Sequence, residues 1–177
     1  MRKLTKYLAT FVASLLLFVC LEHRAVIAGA LEKQQRFEAS LLSWQLVKKQ
    51  IARYQYSVNF SSWVGFSNRT TLSVEDDVVV NRAYVAFDQN NKLVAQWQED
   101  GSDEIGTHKR GATPKTMDQL YRQCRSEVLS KSAQENYISL SFDENNLLRQ
   151  CTYTPMSCAD DCSFGVNISD LQFNQTP

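Results

Sequence analysis

Four cysteines that follow the first thirty residues constrain the fold of this chain more than any other feature. They are Cys124, Cys151, Cys158 and Cys162, and the fifth cysteine, Cys20, lies within those thirty residues. In an exported chain, an even number of cysteines is typical of a disulfide framework, and four cysteines allow three pairings. We favour Cys124–Cys151 together with Cys158–Cys162.

The N-terminal segment 1–30 has the pattern of a signal peptide. Basic residues precede an apolar run over 8–21, and the small residues at 28–30 suit cleavage before Leu31. The run is shorter than the roughly 20 residues that a spanning helix needs. An uncleaved anchor and acylation at Cys20 are the alternatives that stay open. We expect a periplasmic or extracellular protein with no membrane span after cleavage.

Residues 31–177 are predicted to form a single domain. The segment before it holds four of the 19 basic and one of the 19 acidic residues, which leaves 15 against 18 and a net charge near −3. A domain of this size buries a substantial hydrophobic core. Because no basic stripe is present, we do not expect nucleic acid as a partner.

Two amphipathic helices are predicted from apolar residues at steps of three or four. The second helix follows Pro114, takes Thr116 as its N-cap and directs Cys124 inward. The first carries the stripe Phe37, Leu41, Trp44, Val47, Ile51 and Tyr54.

Alternating apolar residues and turn residues predict antiparallel strands. The segments are "YQYSVNF" and "TTLSVEDDVVV" joined by "SSWVGFSNR", a hairpin over 83–98, a strand pair over 136–153 and a last strand "VNISDLQF". Segments 86–96 and 141–151 resemble each other, through either duplication or a turn used twice. We predict an α+β fold with two helices packed on one face of a mostly antiparallel β-sheet, stapled by disulfides.

The predicted pairing follows from these faces. Cys124 points inward from the second helix and Cys151 shares a strand face with Leu147 and Tyr153, so a helix-to-sheet disulfide is geometrically reasonable. The loop that it closes is worth about 3 kcal/mol in the chain-entropy model. Cys158–Cys162 would then close a short turn.

The segment "CADDC" at 158–162 is interpreted as a structural turn. One cysteine pair is too few ligands for structural zinc, and His108 is distant in sequence. Asp160 and Asp161 beside the cysteines disfavour a thiolate and therefore a redox dithiol. These aspartates are expected to be solvated or to cap backbone amides, and we predict no metal site.

Catalytic and cofactor motifs are missing from the sequence. His108 is the only histidine after residue 30, and neither a Gly-x-Ser-x-Gly segment nor a glycine-rich phosphate loop occurs. We therefore expect no catalytic residue and no cofactor. His108, in the polar loop "EDGSDEIGTHKRGATP", is expected to be a solvated side chain.

The predicted hairpin loop "SSWVGFSNR" favours a role in recognition of a partner or ligand. Trp63 and Phe66 stand in the predicted hairpin loop, where apolar side chains are hard to bury, and exposed aromatic residues can anchor a partner. The alternative is that Trp63 folds back onto the sheet edge.

Several segments together resemble the DUF6174-like family, which comprises uncharacterised exported bacterial proteins with a domain of unknown function. They are Trp44 with Ile51, "YQY" at 54–56, "TMDQLY" at 116–121, "ISLSFDENNLL" at 138–148 and "ADDCSFGVNISDLQF" at 159–173. Many members have a cysteine-rich patch after the Tyr-x-Tyr strand, where this chain has none. The resemblance implies an envelope or extracellular α+β domain and carries no activity.

The favoured hypothesis is a non-enzymatic binding or interaction domain for an unknown protein or small ligand of the envelope. Its candidate binding residues are Trp63, Phe66, Asp160 and Asp161. The alternative is a small envelope enzyme or inhibitor with its site near the Cys158–Cys162 turn.

Overall fold

The computed structural model describes residues 28–101, 103–159 and 162–174. The predicted leader lies outside the described residues as far as position 27. The chain divides into two compact units, residues 1–38 and 39–177. The described part of the first unit is helical. All the strands and the second helix belong to the second unit.

Both predicted helices are present. Helix α1 covers residues 28–48 and ends earlier than predicted, because Ile51 lies after it and Tyr54 belongs to a strand. Helix α2 spans Met117–Gln123 and begins at the predicted cap, where Thr116 and Gln119 form a capping box. A π-helical turn, Cys124–Val128, continues α2.

The residues that the structure describes form eight strands in two antiparallel sheets. The α+β class is therefore confirmed, while the strands are divided between two sheets instead of one. The first sheet has the order β4-β3-β2-β1-β8 and the second β5-β6-β7. The strands are β1 Arg53–Ser61, β2 Ser67–Glu75, β3 Val78–Phe87, β4 Leu93–Asp100, β5 Asn136–Phe142, β6 Leu148–Pro155, β7 Phe164–Asn167 and β8 Ser169–Asn174.

The two similar segments of the sequence form the same turn. In the β3–β4 turn, Asp88 Oδ1 accepts hydrogen bonds from the backbone amides of residues 90 and 92, and Asp143 does the same for residues 145 and 147 between β5 and β6. Asn91 and Asn146 both have positive φ, 58° and 60°. A side-chain-capped turn with a left-handed asparagine therefore occurs twice, as its residue types predict.

Helix α2 is bonded to both sheets. Its first backbone amide, that of Met117, donates to the Tyr54 hydroxyl of β1 at 2.8 Å. On the other side, the Tyr121 hydroxyl accepts from the backbone amide of Leu148 in β6 at 2.9 Å. Burial raises the pKa of both phenols. Because these contacts join α2 to each sheet, the helix is a shared part of the core and not a cover on one face.

Two disulfides follow the predicted pairing. The core disulfide joins Cys124 to Cys151 across a Cα–Cα distance of 5.6 Å and links the end of α2 to β6. The groove disulfide joins Cys158 to Cys162, four residues apart. The predicted helix-to-sheet disulfide is therefore present, with both of its cysteines fully buried.

Candidate binding groove

A groove opens between the last residues of β1 and the turn closed by the groove disulfide. Residues 59–61 form one wall, and Cys158, Ala159 and Cys162 form part of the other. Thr152 and Thr154 of β6 also line it. The groove has a volume of about 770 Å³, which falls in the range of roughly 300–1,000 Å³ found for ligand sites.

The groove exists because one stretch of chain changes sheets. The predicted last strand is in fact two: β7 pairs with β6, Ile168 interrupts the pairing, and β8 pairs with β1. The backbone amide of Ile168 still donates to the Arg149 carbonyl at 2.9 Å. Since β8 pairs with β1 only as far as Ser57, the remaining residues of β1 separate from β7. We call this opening the fork, with residues 58–61 of β1 on one side and β7 on the other.

Gly165 lets β7 lie against β6 at the fork. Its φ is +130°, and a Cβ atom at this position would stand 2.3 Å from the Cys151 carbonyl oxygen. Any side chain would therefore collide with backbone and strain its own φ. The glycine of "CSFG" is needed to hold this wall of the groove in place.

The lining is polar but uncharged. None of the 11 described lining residues has a titratable side chain, because the two cysteines are joined in the groove disulfide. Hydroxyl and carboxamide groups come from Asn59, Ser61, Thr152, Thr154, Ser163 and Asn167. The predicted binding residues Asp160 and Asp161 lie outside the described residues. A second concavity, at the β5–β6 turn, differs in being lined by Asp143, Glu144, Arg149 and Asp170.

The aromatic loop, residues 62–66, follows directly after the groove wall. Trp63 is 83% exposed and Phe66 49%, so the alternative that Trp63 folds back onto the sheet edge is wrong. The loop is held by hydrogen bonds from Ser62 N to Phe66 O and from Gly65 N to Ser62 O. Neither Trp63 nor Phe66 lines the groove, but Phe60 does and is 53% exposed. The structure therefore places the aromatic loop directly after the β1 residues that line the groove, and its two aromatic side chains outside the groove lining.

A buried ion pair, missed by the sequence analysis, fixes the polar loop that follows β4. The side chains of Arg82 and Glu99 are 3% and 1% exposed, and Arg82 Nη1 lies 3.0 Å from Glu99 Oε2. Arg82 also donates to the backbone carbonyls of His108, Arg110 and Ala112. Both residues occupy core-facing positions of their strands, so a charge at an inward position of the alternation was the available signal.

The Glu99 carboxylate has a full set of donors. Besides Arg82, it accepts from the backbone amides of Gly106 and His108, each at 2.7 Å, and from the Thr107 hydroxyl at 3.2 Å. Burial raises the pKa of Glu99, but these hydrogen bonds outweigh burial and lower it to about 2. With its lone pairs used by the protein, Glu99 is suited to holding the loop and not to proton transfer.

His108 is not the free surface side chain that was expected. Its ring stacks on Trp97 with a centroid distance of 4.3 Å, and its Nδ1 lies 3.0 Å from Glu99 Oε1. Tyr84 stacks on Trp97 as well, at 5.1 Å. The imidazole therefore closes a stack of rings over the ion pair, although 46% of its side chain stays exposed.

Comparison with known proteins gives no match: no family model, no curated protein and no solved structure is similar to this chain. The resemblance to the DUF6174-like family accordingly stays a prediction. Within the residues that the structure describes, no helix has both the length and the apolar character to cross a membrane.

Proposed function

We propose that this chain is an exported, non-enzymatic binding domain whose ligand occupies the groove and contacts the aromatic loop. The observation that carries the proposal is the groove of about 770 Å³ with no titratable side chain among its described lining residues. General acid–base and nucleophilic catalysis need such groups, whereas recognition needs hydrogen-bonding groups and apolar contact area.

Export is supported by the signal-peptide pattern and by the two disulfides, which suit an oxidising compartment. Membership of the DUF6174-like family is part of the same proposal, since the resemblance implies an envelope or extracellular domain. The alternative of an enzyme or inhibitor near the groove disulfide rests on Asp160 and Asp161.

Site-specific photo-crosslinking in the host tests the proposal. A photoreactive phenylalanine analogue replaces Ser163, which lines the groove, or Ser130, an exposed residue of the segment after α2. We expect a discrete adduct from position 163 and none from position 130. Equal labelling at both positions, or none at either, would contradict a ligand in the groove.

The contribution of the aromatic loop is tested on the same adduct. Trp63→Ala and Phe66→Ala remove exposed apolar area, and we expect each to lower the adduct yield at position 163. Leu46→Ala is the matched control, because Leu46 is 61% exposed on α1 and does not line the groove. Unchanged yields in both loop variants would remove the aromatic loop from the proposed surface.

A further inference from the structure

Two strand edges face the fork without a strand partner among the described residues. On its outer side, β1 is paired from Arg53 to Ser57 only, so residues 58–61 leave that edge of the backbone open. Among the described strands, β7 is the last of its sheet and pairs with β6 alone. Residues 59–61 of the first stretch and Gly165 and Asn167 of the second line the same groove.

The fork has a closed end and an open end. At the closed end, Asn59 Nδ2 donates to Ser169 Oγ at 2.7 Å, and Asn59 Oδ1 accepts from Arg69 Nε at 2.9 Å. The first bond holds β1 against the start of β8, and the second joins Asn59 to β2. Beyond Asn59 the strands diverge toward the aromatic loop and the groove disulfide, so a ligand that enters the fork meets β1 at residues 59–61, which line the groove.

We propose that the fork binds an extended polypeptide segment as an added β-strand on residues 59–61 of β1. This inference rests on the proposed function and names its ligand. An open strand edge offers alternating N–H and C=O groups at the spacing of another strand, which a peptide backbone matches and other ligands do not.

The polar groups that line the groove offer hydrogen-bonding partners to the far side of a bound peptide. A strand added to β1 lies about 4.8 Å from it, and its outward peptide groups then need partners on the other wall. The hydroxyl groups of Ser163 and Thr154 and the carboxamide of Asn167 line the groove and can supply them. The described lining residues are uncharged and Phe60 is 53% exposed, so a segment with uncharged, partly apolar side chains suits them best.

An unpaired strand edge also exposes the protein to aggregation, which a bound ligand would prevent. Exposed strand edges promote aggregation, and proteins protect them with charges, prolines or bulges. Residues 58–61, Val-Asn-Phe-Ser, contain neither a charge nor a proline. Their register with β2 is regular as far as Ser61, so no bulge disturbs the edge. An edge of this kind is suited to pairing.

Binding of defined peptides tests the inference. The probe is an array of capped seven-residue peptides built only from uncharged residues, with an array of neutral oligosaccharides in parallel. We expect binding to peptides. In the best binder, N-methylation of alternate amides of one parity should weaken binding at least tenfold, while methylation of the other parity has less effect, because only every second amide of a strand faces β1.

Matched variants place the site. Thr154→Arg puts a long cation into the groove, and Thr113→Arg puts the same residue in an exposed loop. We expect both variants to keep a melting temperature near that of the wild type, and this is measured first. We expect Thr154→Arg to abolish peptide binding and Thr113→Arg to leave it unchanged. Hydrogen exchange at residues 59 and 61, whose backbone amides face away from β2, should slow when the peptide binds.

Three results would overturn the inference: equal effects of the two N-methylation parities, binding of oligosaccharides only, or no binding on either array. If oligosaccharides bind, or if a discrete photo-crosslinked adduct still forms from position 163, the proposed binding function stands without this inference. If that adduct does not form either, both the inference and the proposed function are refuted.

Discussion

Replacing Glu99 by glutamine should cost this protein a large part of its stability. The carboxylate is 1% exposed and partners the equally buried Arg82. An amide NH₂ in its place has to face either Arg82 and Gly106 or the donors of residues 107 and 108, so donor meets donor on one side. Breaking a buried pair in this way costs about 3–5 kcal/mol, against a total of about 5–15 kcal/mol for a domain. The melting temperature should fall by roughly 10 °C.

Removing both charges should not restore the wild-type stability. Apolar replacement of a buried ion pair is often neutral or stabilising. Here, however, the pair also serves the backbone of the loop after β4, so Arg82→Met with Glu99→Leu leaves several peptide groups without partners. These groups are two N–H groups, of Gly106 and His108, and three carbonyls, of His108, Arg110 and Ala112. We expect the double variant to stay at least about 2 kcal/mol below the wild type.

Two assays check this reasoning. Urea unfolding gives the free energies, and trypsin cleavage after Lys109 or Arg110 reports whether the loop has been released. Cleavage should be slow in the wild type, where the Arg110 carbonyl accepts from Arg82, and fast in both variants. A glutamine variant within 1 kcal/mol of the wild type, or full recovery in the double variant, would refute the proposed role of the pair.

Three further outcomes are expected. Because the pKa of Glu99 is lowered to about 2, its stabilisation is complete above the ordinary value near 4.5 and is lost as the pH falls toward 2. Acid titration of stability should therefore be shallower in Glu99→Gln than in the wild type. Trp44→Ala, at a fully buried position, should lower the unfolding free energy by about 3–5 kcal/mol. Trp63→Ala should change it by less than about 0.5 kcal/mol, and similar losses in both variants would contradict the exposed position of Trp63. Serine replacement of the core disulfide, which spans 27 residues, should cost about 3.5 kcal/mol, whereas replacement of the groove disulfide, which spans four, should cost about 2 kcal/mol. Denaturant midpoints in the reverse order would contradict the chain-entropy account.

The candidate site was only partly predictable. The turn at 158–162 and the loop around Trp63 were both singled out by composition, since cysteines close in sequence and apolar residues in a hairpin loop are local signals. The groove that lies between the turn and residues 59–61 has no local signal, because its walls are about 100 residues apart in the chain. The ion pair of Arg82 and Glu99 was overlooked, although their inward register was visible in the strand pattern.

Local physical chemistry determined several elements of the fold outside the candidate site. Helical periodicity fixed the position of α2, and the preference of Thr116 for an N-cap fixed where it begins. Side-chain capping by Asp88 and Asp143 fixed two turns. The inward faces of Cys124 and Cys151 were sufficient to favour the pairing that the structure contains.

Tertiary structure alone decided how the strands are shared between sheets. The segment "VNISDLQF" alternates in the same way whichever strand lies beside it, so its pattern predicts one strand and cannot indicate a change of partner at Ile168. Pairing is a long-range choice, made by which neighbours bury more surface and satisfy more backbone groups. Here β7 satisfies the edge of β6, β8 satisfies the edge of β1, and the fork opens where the chain passes from one sheet to the other.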